Sequence, residues 1–430
     1  MSLDLRVPAS WRRSSIGKYC DVQLGKMLQS EPSGEKDELL PYLRAINISK
    51  TGVDLSHQFA MWIRPQERNK FRLFAHDVLV SEGGDAGRTA YFMEDGDYYF
   101  QNAINRVRPI DEQTVDSRYL YYWFTFLKLT GYVEYICNVA TIAHFTAEKL
   151  KAAPFAFPIL ESQRLIAAFL DKKTTQIDAL IAKKQTLLAR LAEKRQAIIT
   201  QAVTKGIDPT VPMKDSGIDW LGQIPAHWKV MPLKWMKRFL TSGSRGWGDY
   251  YADEGSVFLR MTNVTGEGIE IDETDLRFVD LEGVNEGKRT ATEAGDILIT
   301  ITAELGSVAI VRQRHAGSYI NQHLALFRAD KSVINPDFLV NLLWSDVARV
   351  QFEIGGQGGT KQGLGFDEVS NIVVTVPPME EQAHIAKWAQ GVRKQLDEIE
   401  HSVRSSLTCL MEYRSALITA AVTGQIDGLR

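Results

Sequence analysis

Two stretches of the chain repeat apolar side chains every three or four residues, whereas the remainder alternates in short runs between turns. Over 396–420 the apolar positions are Leu396, Ile399, Val403, Leu410, Leu417 and Ala420, with Tyr413 in the same register. Over 177–199 they are Ile177, Leu180, Leu187, Leu191 and Ile198, widened by Ile181, Leu188 and Ile199. This spacing predicts amphipathic helices with a heptad-like stripe. No Pro or Gly falls between Thr174 and Val203 or between Val392 and Val422, so each helix can run unbroken. At 1.5 Å per residue, about 30 residues make a rod of roughly 45 Å. A separate short helix, Glu161–Leu170 or Glu380–Gln390, is predicted before each rod. Elsewhere Asp77–Val80, Asp296–Ile301 and Ser307–Val311 read as strands between Gly- and Asp-rich turns, and 118–128 and 337–349 read as helices.

The two helical stretches are copies of each other. Residues 158–208 match 377–427 without a gap at an offset of 219, with more than a third of the positions identical. Among them are Pro158/Pro377, Gln163/Gln382, Asp178/Asp397, Glu193/Glu412, Arg195/Arg414 and Ala202-Val203-Thr204/Ala421-Val422-Thr423. The segments before the copies correspond only at landmarks: Pro8/Pro225, Trp11/Trp228, Arg44/Arg260, Asn47/Asn263, Asp77/Asp296, Gly87/Gly306 and Thr141/Thr360. The plan is variable, constant, variable, constant, over 1–158, 159–210, 211–376 and 377–430. The stretch Lys205–Gly222, with Pro209, Pro212, Gly217 and Gly222, reads as the linker into the second variable domain.

Composition changes this picture little and charge changes it more. Apolar content of 44% and charged content of 24% are ordinary for a globular protein. No apolar run is long enough for a membrane span and MSLDLRVPASW lacks a signal-peptide layout, so a cytoplasmic protein is expected. Cys20, Cys137 and Cys409 have no metal spacing and are expected to be buried thiols. The formal net charge of −3 is distributed as 0, +4, −6 and −1 over the four segments. A lone chain of this balance should bind DNA weakly, since phosphate contacts draw on a basic surface.

At MKDSGIDWLGQIPAHW (Met213–Trp228) the chain resembles the inter-repeat signature of type I restriction-modification specificity subunits. VPASW near the start, SEGGDAGR (81–88), GGTKQGLG (358–365), PILESQRLIAAFLD (158–171) and PPMEEQAHIAKWAQ (377–390) are also similar to that family. The resemblance implies two target recognition domains that each read half of a split double-stranded DNA site, on paired helices that set the spacing and dock two modification subunits. It also places S-adenosylmethionine-dependent methylation, and ATP- and Mg-dependent restriction, in partner subunits, with no cofactor, metal or catalysis in this chain. The residues agree with that division: there is no D/N-P-P-Y/F motif and no G-x-x-x-x-G-K-[ST] cradle, and the histidines cluster with neither acids nor cysteines.

Residues kept in both halves cannot distinguish two different half-sites. Trp11 and Trp228 are therefore expected in the core, and Arg44 and Arg260 are fold or phosphate-positioning candidates. Specificity should reside in polar loops that differ between the halves. The candidates are Arg88, Asn138, Thr141 and His144 in the first domain, and Arg245, Trp247, Thr360, Lys361 and Gln362 in the second. Tyr121–Phe126 could stack bases, but a buried helix explains its apolar counterpart 338–344 as well. Glu193, Arg195, Glu412 and Arg414, charged and identical in both rods, are candidates for docking a partner.

The expected architecture is α+β: two mixed α/β recognition domains separated by two long antiparallel coiled-coil helices, with the first residues close to Val422–Arg430. The rival reading is a tandem-repeat coiled-coil scaffold without a DNA role. A detached recognition half of a single-chain restriction-methyltransferase is a third.

Overall fold

The computed structural model describes residues 6–49, 52–57, 59–137, 144–280, 288–356 and 363–429. The chain divides into two compact units, Met1–Gln185 with Arg404–Arg430, and Thr186–Val403. Each therefore combines one variable domain with stretches of both rods, a grouping by contact that cuts across the four sequence segments.

The two units are built alike. The first is organised on a four-stranded antiparallel sheet in the order Cys20–Leu24, Ile104–Pro109, Val78–Ser81, Thr89–Tyr91. The second repeats it as Lys237–Ser242, Leu324–Ala329, Ile297–Thr300, Val308–Ile310. Strand alternation decides the layers, because successive side chains leave opposite faces. Val78 and Val80 join Val22 and Val107 in a core shared with the helices, while Leu79 turns to a second core with Ile104 and Ala90. In the second unit Ile297 and Ile299 face the helical core and Leu298 faces the other, with Leu324 and Leu326. A smaller sheet covers that far side: Phe59–Ile63, Glu38–Leu43, Tyr99–Phe100 in one unit, and Tyr251–Ala252, Arg277–Val279, Ser256–Leu259, Tyr319–Ile320 in the other.

The landmarks shared by the halves are fold residues. Trp11 and Trp228 are buried. Asn47 and Asn263, also buried, accept from the backbone N–H of Arg44 and Arg260 at 2.8 and 2.9 Å and donate to two carbonyls of the following loop. Buried Asp77 takes a two-pronged contact from Arg108 at 2.6 and 2.7 Å, and Asp296 takes one from Arg328 at 2.8 and 2.7 Å. The buried amides of Gln163 and Gln382 tie each long helix to the start of the helix Ser117–Leu129 or Pro336–Trp344, accepting from Asp116 N–H at 2.9 Å and Asn335 N–H at 2.7 Å, and donate to the Pro158 and Pro377 carbonyls, both at 2.9 Å.

The long helices span Leu160–Lys205 and Met379–Val422, each in one piece. The short leading helices predicted from sequence are their first turns. Nothing between 171 and 174 breaks the first, and Gly391 in the second costs about 1 kcal/mol, too little to interrupt a packed helix. The paired stretches run antiparallel within each unit. In the first, Ile166 and Leu170 pack with Ile418 and Val422 while Asp178 meets Arg414; in the second, Ile199 and Val203 pack with Ile385 and Ala389 while Arg195 meets Asp397. The predicted stripe is only partly covered. Ile177, Leu396, Val403 and Leu407 are buried, but Leu180, Leu187 and Ile399 are exposed, because one partner helix can cover only one row of a widened stripe.

Other expectations are met or corrected locally. Residues 117–129 form the predicted helix, capped by Asp116, whose carboxylate accepts from Tyr119 N–H, and its Tyr122, Trp123, Phe124 and Phe126 are buried. The stretch 337–349 is instead two helices, Pro336–Trp344 and Asp346–Gly355, parted at Ser345, whose hydroxyl donates back to the Leu342 carbonyl. The linker contains a small hairpin, Met213–Asp215 with Gln223–Pro225. Cys20 and Cys137 are buried, and burial beside Asp21 pushes the Cys20 thiol up to about 12; Cys409 is exposed on the outer side of its helix, contrary to expectation. Val7 and Trp11 do pack with Ile418, Ala421 and Val422, bringing the start of the described chain to its end. Among the described residues no helix is long and apolar enough to cross a membrane.

Candidate nucleic-acid interface

Each unit gathers three loops at one end of its four-stranded sheet. The first is the hairpin turn 82–88, or 301–307 in the second unit, closed by Gly87 N–H to the Ser81 carbonyl and by Gly306 N–H to the Thr300 carbonyl, both 2.9 Å. Gly87 and Gly306 sit at φ 79° and 80°, and a Cβ there would meet Val133 at 2.9 Å or Phe352 at 2.6 Å. Only glycine satisfies both demands. The second loop returns from the helices: Phe145 N–H donates to the Glu82 carbonyl at 2.7 Å and Leu364 N–H to the Ile301 carbonyl at 2.9 Å. The third is the turn before the strand Ile104–Pro109 or Leu324–Ala329, where Glu82 N–H reaches the Ala103 carbonyl and Ile301 N–H the His323 carbonyl. Loop 25–28, or 243–246, bridges to that turn through Lys26–Gln101 or Ser244–Asn321.

This frame collects some sequence candidates and releases others. His144 is exposed, and its ring lies so close to the hairpin that a Cβ on Gly83 would come within 3.4 Å of it. Arg88 is half-buried: its Nη2 donates to the Ala45 carbonyl at 3.0 Å, tying the hairpin to the turn that displays Arg44. Arg44 is exposed with its guanidinium over Phe59 at 4.8 Å. Its counterpart Arg260 is held by Asp275 at 2.7 Å, and that hydrogen bond holds the Asp275 carboxyl below the usual carboxylate range. Arg245 is exposed in loop 243–246. Trp247 corrects the expectation of a base contact: it is buried against Phe258 and Tyr319, with ring centroids at 4.8 and 5.6 Å, because an indole beside two aromatic rings is better placed in a small core than in water. Asn138, Thr141, Thr360, Lys361 and Gln362 lie outside the described residues.

Sequence reasoning passed over Thr302, Gln322 and His323, half-buried residues joined at this end of the second sheet. Their only signal is a difference at matched positions, Gln322-His323 against Asn102-Ala103, and the match requires the strand register. Burial pushes the Glu82 carboxyl up at the equivalent end of the first sheet.

The docking candidates separate by charge. Arg195 pairs with Asp397 at 2.5 Å and Glu400 at 3.2 Å, and Arg414 pairs with Asp178 at 2.8 Å. These are the same pair made twice with the copies exchanged, so the identity of Arg195 and Arg414 in both rods is explained by helix-to-helix pairing within the chain rather than by a partner. Glu193 and Glu412 are exposed, with no ion-pair partner among the described residues. Among the described residues no group of three or more His, Cys, Asp or Glu side chains could hold a metal ion.

Two units built alike, each with its own sheet, paired helix stretches and loops that differ from the other's, define a duplicated protein, and the comparisons agree. The family described as "Type I restriction modification DNA specificity domain" matches residues 8–190 and 244–408. The chain belongs to that family. It is 24% identical to the EcoBI specificity subunit of Escherichia coli over 98% of this chain and 87% of that protein. It is also 24% identical to the putative MjaX specificity subunit of Methanocaldococcus jannaschii, over 94% and 93%. Its fold is similar to a chain from a structural study of assembly and conformational transition in a type I restriction-modification system, with a TM-score of 0.74 over 98% and 99% of the two chains at 14% identity. The HsdS subunit of Thermoanaerobacter tengcongensis follows with a TM-score of 0.52 over 98% of each chain, also at 14% identity.

Proposed function

We propose that this specificity-family chain is the non-catalytic reader of a type I restriction-modification complex, each recognition domain taking one half of a bipartite double-stranded DNA target. The observation that carries this is the repetition of one loop frame with different side chains: Arg88, His144 and Asn102-Ala103 in one unit, Arg245 and Gln322-His323 in the other. A shared frame with unshared polar tips suits two unlike half-sites. The helices would set the spacer and dock two modification subunits, which would cover the apolar positions left open on the rods, Leu180 and Tyr413 in one unit and Leu187 and Ile399 in the other, beside Glu412 and Glu193. S-adenosylmethionine, ATP and Mg would then belong to the partner subunits. Exposed apolar rows alone would also suit the scaffold reading; the duplicated loop frame does not.

Replacing residues 1–158 by the equivalent domain of a relative tests this. Sequencing of methylated sites in cells carrying the complex should show one half of the target changed and the other retained. A change in both halves, or in neither, would overturn modular reading.

A further inference from the structure

We propose that Gln322 reads an adenine in the half-site of the second recognition domain, with His323 and Thr302 as positioning residues that set its amide. The inference rests on the DNA-reading function above and adds the residue and the base. Thr302 Oγ1 lies 2.8 Å from His323 Nδ1, and His323 Nε2 lies 3.0 Å from Gln322 Nε2. An amide nitrogen can only donate, so in this arrangement His323 Nε2 accepts and Nδ1–H donates to Thr302. One N–H of Gln322 is thereby spent. Among the described residues its second N–H and its carbonyl oxygen make no further hydrogen bond, which leaves a donor and an acceptor on a side chain whose rotation is held by the histidine.

Adenine presents the complementary pair in the major groove, the N7 acceptor and the N6 amino donor, and a glutamine amide matches both at once. The surroundings fit a base contact rather than an internal brace. Gln322 lies one residue from the Ser244–Asn321 bridge that anchors the loop of exposed Arg245, and Thr302 lies on the hairpin turn itself. Ala303, next to Thr302, holds φ 59°, a left-handed conformation costly for a residue with a Cβ, where the first unit has Gly84 at 72°. The backbone accepts strain at the residue beside the histidine's anchor, as binding turns do. The first unit has Ala103 in place of His323, so Asn102 has no such brace and the two domains need not share this contact.

The test uses the complex with its modification subunits, comparing wild type, Gln322→Glu, Gln322→Leu, Thr302→Val and Thr302→Ser by methylated-site sequencing and by binding to duplexes carrying each base at each half-site position. The half-site of the second domain is the one retained when residues 1–158 are exchanged. We expect one adenine position there whose preference falls on the order of ten- to a hundredfold in Gln322→Leu. In Gln322→Glu it should turn toward cytosine, whose amino group suits an acceptor-only carboxylate. Thr302→Val should relax the same position alone and Thr302→Ser should restore it. If Gln322→Glu does not assemble, Gln322→Leu and the Thr302 pair carry the comparison. Wild-type preference at every position in an assembled Gln322→Leu complex, or a loss spread evenly over all positions, overturns the assignment while leaving modular reading intact; only the domain exchange decides the latter.

Discussion

At the scale of residues, side chains identical in both halves build the frame and those that differ are placed on its rim. Asn47/Asn263, Asp77/Asp296 and Gln163/Gln382 are buried and saturate backbone or arginine partners, as buried polar groups must. Truncating Asn263 to Ala should destabilise the second unit by about 1–3 kcal/mol, since it leaves the Arg260 N–H and two carbonyls without their partner. Chemical denaturation of the variant measures this, and an unchanged midpoint would contradict the bracing role. Glu82 tests pH. Burial raises its folded-state pKa above the unfolded value, so folding favours the protonated form and stability falls as pH rises from the ordinary carboxylate value through the raised one. Glu82→Gln should therefore gain stability over wild type at neutral pH and lose that advantage below the ordinary carboxylate range. Thermal melts across pH 3–8 decide it, and a pH-independent difference would not fit.

At the scale of elements, the long helices are held by packing at their ends and by paired charges further along. Ile177 and Ile199 are buried, yet no residue between them on the first helix is fully so. Propensity and ion pairs should therefore weigh more there than in a core helix. Gly391 is exposed and a Cβ on it would meet nothing within 4 Å, so Gly391→Ala should stabilise by about 1 kcal/mol and raise the melting temperature. Reversing Arg195 to Glu should weaken assembly of the helix pair, and adding Asp397→Arg should recover most of the loss. The coupling should be on the order of 0.5–1 kcal/mol, since Arg195 is largely covered but Asp397 is exposed. A double variant no more stable than the single one would leave the pair without a structural role.

At the scale of the whole molecule, the proposed function makes helix length a determinant of the target. The Arg195–Glu400 contact places Leu191 and His401 near one another on opposite helices. Four residues inserted after each would add about one turn and roughly 6 Å while nearly restoring the apolar face. Methylated-site sequencing should then find a spacer longer by one or two base pairs of about 3.4 Å each, with both half-sites unchanged. Two-residue insertions, which rotate the stripe by about 200°, should abolish assembly. An unchanged spacer in an active four-residue variant would defeat the ruler.

The duplication and the two long helices were legible in the sequence, because repeats and 3.6-residue periodicity are local patterns that survive without coordinates. So was the buried role of Trp11 and Trp228. Only tertiary structure decided what those patterns meant at single positions. Trp247 left the list of base contacts because Phe258 and Tyr319 close around it, and Arg195 and Arg414 became internal partners once antiparallel pairing brought each to the other copy's aspartate. Gln322 and His323 entered because strand register carried a turn 20 residues from Thr302 to its side. A pairwise contact between distant residues leaves no periodic trace in a single chain, and that is the physical reason the frame could be read beforehand and its rim could not.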